Sequence, residues 1–373
     1  MAIQIVPHES RFSDAVEAFN QRMRAGGSPW GFYVDPAPHW IPKHPGATVW
    51  REYHVAVDDD GSVRGAFALK PQDWWVRGEI RVITDWQGPF SEGSVDPRFN
   101  TLGLRMMRDM LKKRPELYSW GHGGNEQPVV QMLQKMGWAM HETHFALQIV
   151  DAGRFLRLNR LLRGSAARRA ALDLLALTGL GAAAIHGVQA WRRLRAGRPS
   201  RAAAHEVPAF GPWADDLWRA CRDDYAAIAV RDAASMNALL PIGGWPPVMR
   251  LKVEEAGRIL GWAVVMDTRM QGDPRFGDLR VGSIVDTLAK PCDAGAVAAS
   301  AMRFLRDRGV DVIVSNQAHP EWIRALADNG CLVFENRRLF AASPALRALF
   351  EPFDVTVRGL HMTNLDGHGP MSL

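Results

Sequence analysis

The chain has 373 residues, 47% apolar and 23% charged, with 34 Gly, 23 Pro and a formal net charge of +5. This composition excludes a disordered or collagenous chain, and the length suggests two domains plus a connector. Three cysteines, Cys221, Cys292 and Cys331, are too few and too widely spaced for a disulfide framework or a CxxC metal site. With no basic start and apolar run near Met1, they point to a cytoplasmic protein without a resident metal.

The first half opens with a short alternating strand over residues 2–7. Ser10 then starts a helix whose Phe12, Ala15, Val16 and Phe19 recur at helical spacing. Residues 48–57 and 63–75 read as a hairpin joined by the turn Asp58-Asp-Asp-Gly61, and residues 78–86 as a third strand. Asp96-Pro97 caps a predicted helix over 98–113. A strand over 117–122, a helix over 126–136 and a strand over 138–150 complete the half.

The second half repeats this plan. Helices are predicted over 212–223 and 232–240, and strands over 248–254, 259–267 and 278–287. A helix over 293–308, a strand over 310–315, a helix over 319–328 and a strand over 331–341 follow. One more strand is expected over 354–362. The implied domains are 1–150, a connector 151–204, 205–343 and a C-terminal extension 344–373.

The charge is concentrated in the connector. Residues 151–201 hold eleven arginines, no lysine and two acids, Asp151 and Asp173, a net +9 that leaves the rest of the chain at −4. Neither a recognised motif nor basic residues interleaved with aromatics accompanies this cluster, so no nucleic-acid partner is expected. Within it, Ala171 to Trp191 approaches the length of a membrane span, but Asp173, His186, Gln189, Gly179 and Gly181 interrupt it. The expectation is one helix, or two bent at the glycines, lying between the domains or peripherally against an anionic membrane surface.

Three features coincide when the halves are superimposed. An acid is predicted to end the fourth strand of each, Asp85 in RVITDW and Asp286 in GSIVDT. An asparagine is predicted to end the fifth, Asn125 in GHGGNEQ and Asn316 in IVSNQ. The following helix stops at Gly137-Trp138 and at Gly330-Cys331. At these residues, most clearly in NEQPVVQMLQKMGW (125–138), the chain resembles the GNAT superfamily of N-acyltransferases, present as a tandem pair over about 1–150 and 205–342. It is also similar to the two-lobed FemAB-like aminoacyl transferases of cell-wall synthesis and to paired acyltransferase-like proteins of bacterial polysaccharide clusters.

The resemblance implies an α/β fold of two mixed, mostly antiparallel sheets flanked by helices. In each, the fourth and fifth strands splay to seat an acyl-CoA (such as acetyl-CoA) or another carrier thioester. It implies transfer of the acyl group to an amine, such as that of an amino sugar or a cell-envelope precursor. Asp286 and Asp85 would accept the amine proton, and Asn316 and Asn125 would hold the pantetheine. The pyrophosphate would sit at a helix start, near Arg98 or at the turn Thr287, Leu288, Ala289, Lys290 before Asp293.

The second half gathers Lys290, Asn316 and Asp286 and is the expected catalytic half. Neither half has the family's Arg/Gln-x-x-Gly-x-Gly/Ala loop: SVDPRFNTLG and TLAKPCDAGA stand there. Leu133 and Leu326 replace its frequent tyrosine acid. A non-catalytic scaffold docking through its basic connector is the alternative. His122 is a loop histidine or a substrate-site imidazole. Trp30 and Trp40 lie in a Pro/Gly-rich loop able to close over an acceptor such as a sugar.

Overall fold

A computed structural model describes residues 3–195 and 200–371, apart from the side chains of residues 335–338 and 371. Met1, Ala2, Arg198 of the basic cluster and the last two residues lie outside the described residues. In chain order the elements are β1 (Gln4–Pro7), α1 (Ser13–Ala25), β2 (Glu52–Val57), β3 (Val63–Val76), β4 (Glu79–Ser91), α2 (Leu102–Lys113), β5 (Leu117–Trp120), α3 (Pro128–Lys135) and β6 (Ala139–Ile149). Then come α4 (Ala152–Leu158), α5 (Ala166–Leu177), α6 (Leu180–Arg195), β7 (Ala203–Val207), α7 (Pro212–Cys221), β8 (Ala227–Ala229), α8 (Ala233–Leu239), β9 (Met249–Glu255), β10 (Arg258–Arg269) and β11 (Arg280–Ala289). The chain ends with α9 (Ala294–Asp307), β12 (Val312–Gln317), α10 (Pro320–Asp328), β13 (Leu332–Ala342), α11 (Pro344–Leu349), α12 (Phe353–Thr356) and β14 (Leu360–His361).

These form two compact units, each discontinuous in sequence: residues 1–141 with 337–357, and residues 142–336 with 358–373. In the first unit β1, β2, β3 and β4 run antiparallel, and β5 joins β4 in parallel. The sheet is closed by β13, whose Phe340, Ala341 and Ala342 pair with Trp120, Ser119 and Tyr118. In the second unit β7, β9, β10 and β11 run antiparallel and β12 joins β11 in parallel. Its closing strand is β6, whose His144–Ile149 stretch pairs with Gln317–Val312. Each half of the sequence thus contributes its last strand to the other half's sheet.

Side-chain alternation along β3 builds two cores in the first unit. Phe67 and Leu69 pack with Trp86 and with Leu102, Met106 and Met110 of α2. Ala66 and Ala68 pack with Tyr53, Val55 and with Val16, Phe19 and Met23 of α1. In the second unit Val281, Val312 and Val314 pack with Ile149 and with Phe155 of α4.

The strand expected over 354–362 is instead the helical turn α12 followed by the two-residue β14, which pairs in parallel with β8. The connector forms three helices, α4, α5 capped by the Ser165 hydroxyl, and α6, with α5 and α6 at 75° across Thr178-Gly179. Among the described residues no single helix is long and apolar enough to cross a membrane.

Candidate functional site

The geometry that matters lies where the parallel pair in each unit stops pairing. In the first unit β4 and β5 share only the rungs Thr84–Leu117 and Asp85–Tyr118. Beyond them β4 continues along β3 to Ser91, whereas β5 follows β13, so a seam opens between residues 86–91 and residues 119–121. The register of β3 against β4 also slips here: Ala68 faces Gln87 and Ala66 faces Phe90, so that Gly88 and Pro89 form a bulge without rung partners. Gly88 takes φ +52°, a conformation that suits its lack of a side chain. In the second unit the slip lies at Val285, and the parallel rungs end at Ile284–Ser315.

Asp85 marks the mouth of the first seam. It lies within β4 rather than at its end, because β4 runs five residues further than the hairpin pattern suggests. Its rung partner on β3 is Lys70, and both are buried on the face that carries α1. Gln87 Nε2 donates to Asp85 Oδ2 at 2.7 Å. The loop between α1 and β2 covers this face. Asn20 of α1 clamps the Phe32 main chain, with Nδ2 donating to its carbonyl at 2.8 Å and Oδ1 accepting from its N–H at 2.7 Å.

Further along the loop, Trp40 is buried with its ring 5.5 Å from Lys70 Nζ, while Trp30 is exposed. Ile41, next to Trp40, holds φ +49°, a left-handed conformation that is costly for a β-branched residue and is retained where surrounding contacts enforce it. Arg51 supplies such a contact. Its N–H donates to the Ile41 carbonyl at 2.8 Å, and its guanidinium lies within 5.4–5.6 Å of the Tyr33, Trp40 and Tyr53 rings. At the base of the seam the His122 ring meets Trp86 at 5.6 Å. Burial pushes this imidazole down to about 4, against a hydrogen bond to the Trp86 main chain, so it is neutral at pH 7.

The second seam is filled by its own chain. The Thr363 main chain bridges to Gln317, and the Ala318 N–H donates to the Met362 carbonyl at 3.1 Å. Tyr225 enters the same gap: its hydroxyl donates to the Ala289 carbonyl at 2.7 Å and accepts from Trp322 Nε1 at 3.0 Å, with its ring edge-on to His319 and His361. Burial raises the Tyr225 phenol above its ordinary range, despite the opposing Trp322 bond.

Asp286 is fully buried and both its oxygens are occupied. Oδ1 accepts from Arg231 Nε at 3.0 Å, from Arg231 Nη2 at 2.8 Å and from the Thr363 hydroxyl at 2.7 Å, and Oδ2 accepts from Trp262 Nε1 at 3.2 Å. Arg231 Nη2 also donates to Asp366 Oδ2 at 2.8 Å, and Arg231 Nη1 to the Ala229 carbonyl at 3.1 Å. Burial lowers the Arg231 pKa, but the two carboxylates outweigh it and hold the guanidinium charged. A carboxyl group encircled by these donors offers no open direction for an incoming ammonium, which does not fit the expected role of Asp286 as a proton acceptor; the group ties β11 to Arg231 and Thr363.

The other expected residues are placed as follows. Thr287, Leu288 and Ala289 pair with Ala263, Trp262 and Gly261 of β10, and Lys290 is exposed. Asn316 is buried one residue before the end of β12, opposite Phe145. Asn125 does not end a strand, because β5 stops at Trp120. It is exposed, and its carbonyl accepts from Gln134 Nε2 at 2.8 Å. The two asparagines are therefore not equivalent positions. Lys290, Asn316 and Asp286 form no open cleft, because residues 360–366 and Tyr225 occupy it.

The second unit relies on Arg231, Tyr225, Thr363 and Asp366, and the first on Lys70 and Gln87, none of which the sequence singled out. The available signals were a cation inside the apolar run IAVRD and another inside the strand ALKPQDWW. Among the described residues no group of three or more His, Cys, Asp or Glu side chains could hold a metal ion.

The buried imidazoles carry a pH dependence. Burial pushes His319 down to about 4 and His361 well below 6.5, and Arg231 adds to the effect at His361. The folded second unit therefore binds fewer protons than its unfolded chain. Stability is fully present above pH ~6.5 and declines as the pH falls toward ~4, by about 1.4 kcal/mol per pH unit for each imidazole. Urea midpoints measured between about pH 7 and about pH 5 are expected to fall, and less steeply in His319→Gln.

No known protein-family profile and no curated protein matches the chain. Solved structures do. Saccharomyces cerevisiae N-myristoyltransferase with bound myristoyl-CoA aligns over 91% of this chain and 82% of its own, at TM-score 0.52 and 10% identity. A GCN5-related N-acetyltransferase from Anabaena variabilis aligns over 91% and 72%, at TM-score 0.52 and 9% identity. A probable N-acyltransferase from Enterococcus faecalis aligns over 94% and 74%, at TM-score 0.51 and 9% identity. At these identities the likeness is one of fold alone: the chain folds like these N-acyltransferases.

Proposed function

We propose that the chain is an N-acyltransferase working through its first unit, with acyl-CoA as donor and an amine as acceptor. The observation that carries this reading is the seam beside Asp85: pairing of β4 and β5 stops at that acid, and beyond it β4 continues along β3 while β5 continues along β13. The donor's pantetheine arm would lie along residues 86–91. Its pyrophosphate would meet the start of α2 at Thr101–Leu104, where aligned N–H groups and the helix dipole favour an anion. Gly103 there faces open space, which leaves room for the phosphates in place of the missing glycine-rich loop.

The acceptor amine would enter beneath the loop that carries Trp40. Its nitrogen bonds to the thioester carbonyl carbon, its proton passes to the Asp85 carboxylate, and the carbon–sulfur bond breaks to expel the CoA thiolate, which leaves as the thiol on taking up a proton from solvent, while Asp85 returns its proton to solvent. The Gly88 N–H, in the bulge, would stabilise the oxyanion. With Trp30 and Tyr33 presenting exposed rings on that loop, we take the acceptor to be an amine on a sugar or another cell-envelope or polysaccharide precursor. The second unit serves as a scaffold, a reading favoured by its filled seam.

The test is release of free CoA thiol from acetyl-CoA and longer acyl-CoAs, with amino sugars among the acceptors. Acceptor-dependent release supports the proposal, and neither release nor binding leaves the scaffold reading for both units. Gly103→Glu separates binding from folding. A carboxylate in the first turn is expected to stabilise α2 by about 0.3–1 kcal/mol and to weaken acyl-CoA binding about tenfold or more through repulsion. Thermal unfolding with and without ligand reads both effects. A variant that binds as well as the parent would move the phosphate site elsewhere.

A further inference from the structure

Helix α6 is apolar on both faces. The stripe that faces its own unit carries Ala182 and Ile185, packed on the core, Gly181 against Leu156, Gln189, whose Nε2 donates to the Ile149 carbonyl at 3.0 Å, and Arg192, whose Nη1 donates to the Cys331 carbonyl at 2.9 Å. The opposite stripe is apolar and open to solvent: Leu180, Val188, Trp191 and Leu194, the last 81% exposed. Helix α5 buries no residue at all, yet it carries Leu174 and Leu177, the latter 80% exposed. A helix normally turns its apolar stripe inward, and contiguous apolar exposure of this kind marks an interaction surface.

Charge identifies the partner. Asp173 is the one acid in the two helices, and Arg163 neutralises it with a fork at 2.6 and 3.0 Å. Arg168 and Arg169 at the start of α5 and Arg193 and Arg195 at the end of α6 are exposed. The Arg195 guanidinium lies 4.1 Å from the centre of the Trp191 ring. Leucines and a tryptophan flanked by arginines match a surface with an apolar interior beneath an anionic layer. Neither helix alone is long and apolar enough to span, and the pair is bent by 75° at Thr178-Gly179.

We propose that the α5–α6 pair docks the protein on the anionic leaflet of a lipid bilayer, lying in the headgroup plane with Leu174, Leu177, Leu180, Trp191 and Leu194 inserted. This inference is independent of acyl transfer. The test is flotation of the full chain with phosphatidylcholine vesicles, with and without phosphatidylglycerol. Binding is expected only with the anionic lipid, and it should weaken between about 0.1 M and about 1 M salt as the screening length contracts from ~10 Å to ~3 Å.

Leu177→Glu with Leu194→Glu, at two side chains already in solvent, is expected to lower the bound fraction about tenfold or more without changing the melting temperature. Brominated lipid should quench the parent and quench Trp191→Phe less. Absence of flotation with either lipid overturns the proposal, as does binding unaffected by the leucine variants. A dimer in sedimentation that the same variants dissociate also overturns it, because the stripe would then belong to a second copy of the chain.

Discussion

Arg231→Ala is expected to destabilise the second unit by about 3–5 kcal/mol, the cost of leaving buried carboxylates without their counter-ion. Arg231 is almost completely buried and binds Asp286, Asp366 and the Thr363 hydroxyl at once. Alanine would leave two acids in a dry site and remove the donor that ties residues 363–366 to β11. Urea unfolding monitored with a protease cutting near residue 360 reads both the loss and its location. A combined Arg231→Met, Asp286→Asn, Asp366→Asn variant removes the charges together and should recover part of the stability. A single alanine variant as stable as the parent would contradict the structural role given to this network.

Asp85→Asn is expected to reduce kcat by about 10²–10⁴, the usual range for a lost general base, with little change in KM for the acyl-CoA. The amide has nearly the same volume and can keep the contact with Gln87, so the fold should persist. Asp286→Asn, in the folded protein, should leave kcat unchanged, because that carboxylate is enclosed by Arg231, Thr363 and Trp262. Steady-state rates for both variants distinguish the units. Full activity in Asp85→Asn, or its loss in folded Asp286→Asn, would reverse the assignment.

What could be read from the sequence was local. The Asp58–Gly61 turn, the Pro start and Asp caps of helices and the alternation along β3 and β10 lie within a few residues of what they specify, and the doubled plan follows from them. The exchange of closing strands was not legible, since β6 and β13 have the same alternating pattern whichever β5 or β12 they join.

A seam was anticipated in both halves, with the second expected to be catalytic; the structure leaves the one beside Asp85 open and fills the one beside Asp286. Lys290, Asn316 and Asp286 are close in the strand plan. What fills the gap, however, comes from Tyr225 and from residues 360–366, which are remote in sequence. Residues 354–362 failed as a strand because Pro352 and Phe353 begin a helical turn, and the stretch from Thr363 to Asp366 is fixed by a capping box rather than by a ladder. Asn125 was misplaced because β5 stops at Trp120, five residues before it.

Calorimetric titration of the full chain with acyl-CoA counts the open seams directly. One equivalent per chain, weakened by Gly103→Glu and retained in Asp286→Asn, is the expected result. Two equivalents, or one that survives Gly103→Glu unchanged, would contradict a single donor site in the first unit.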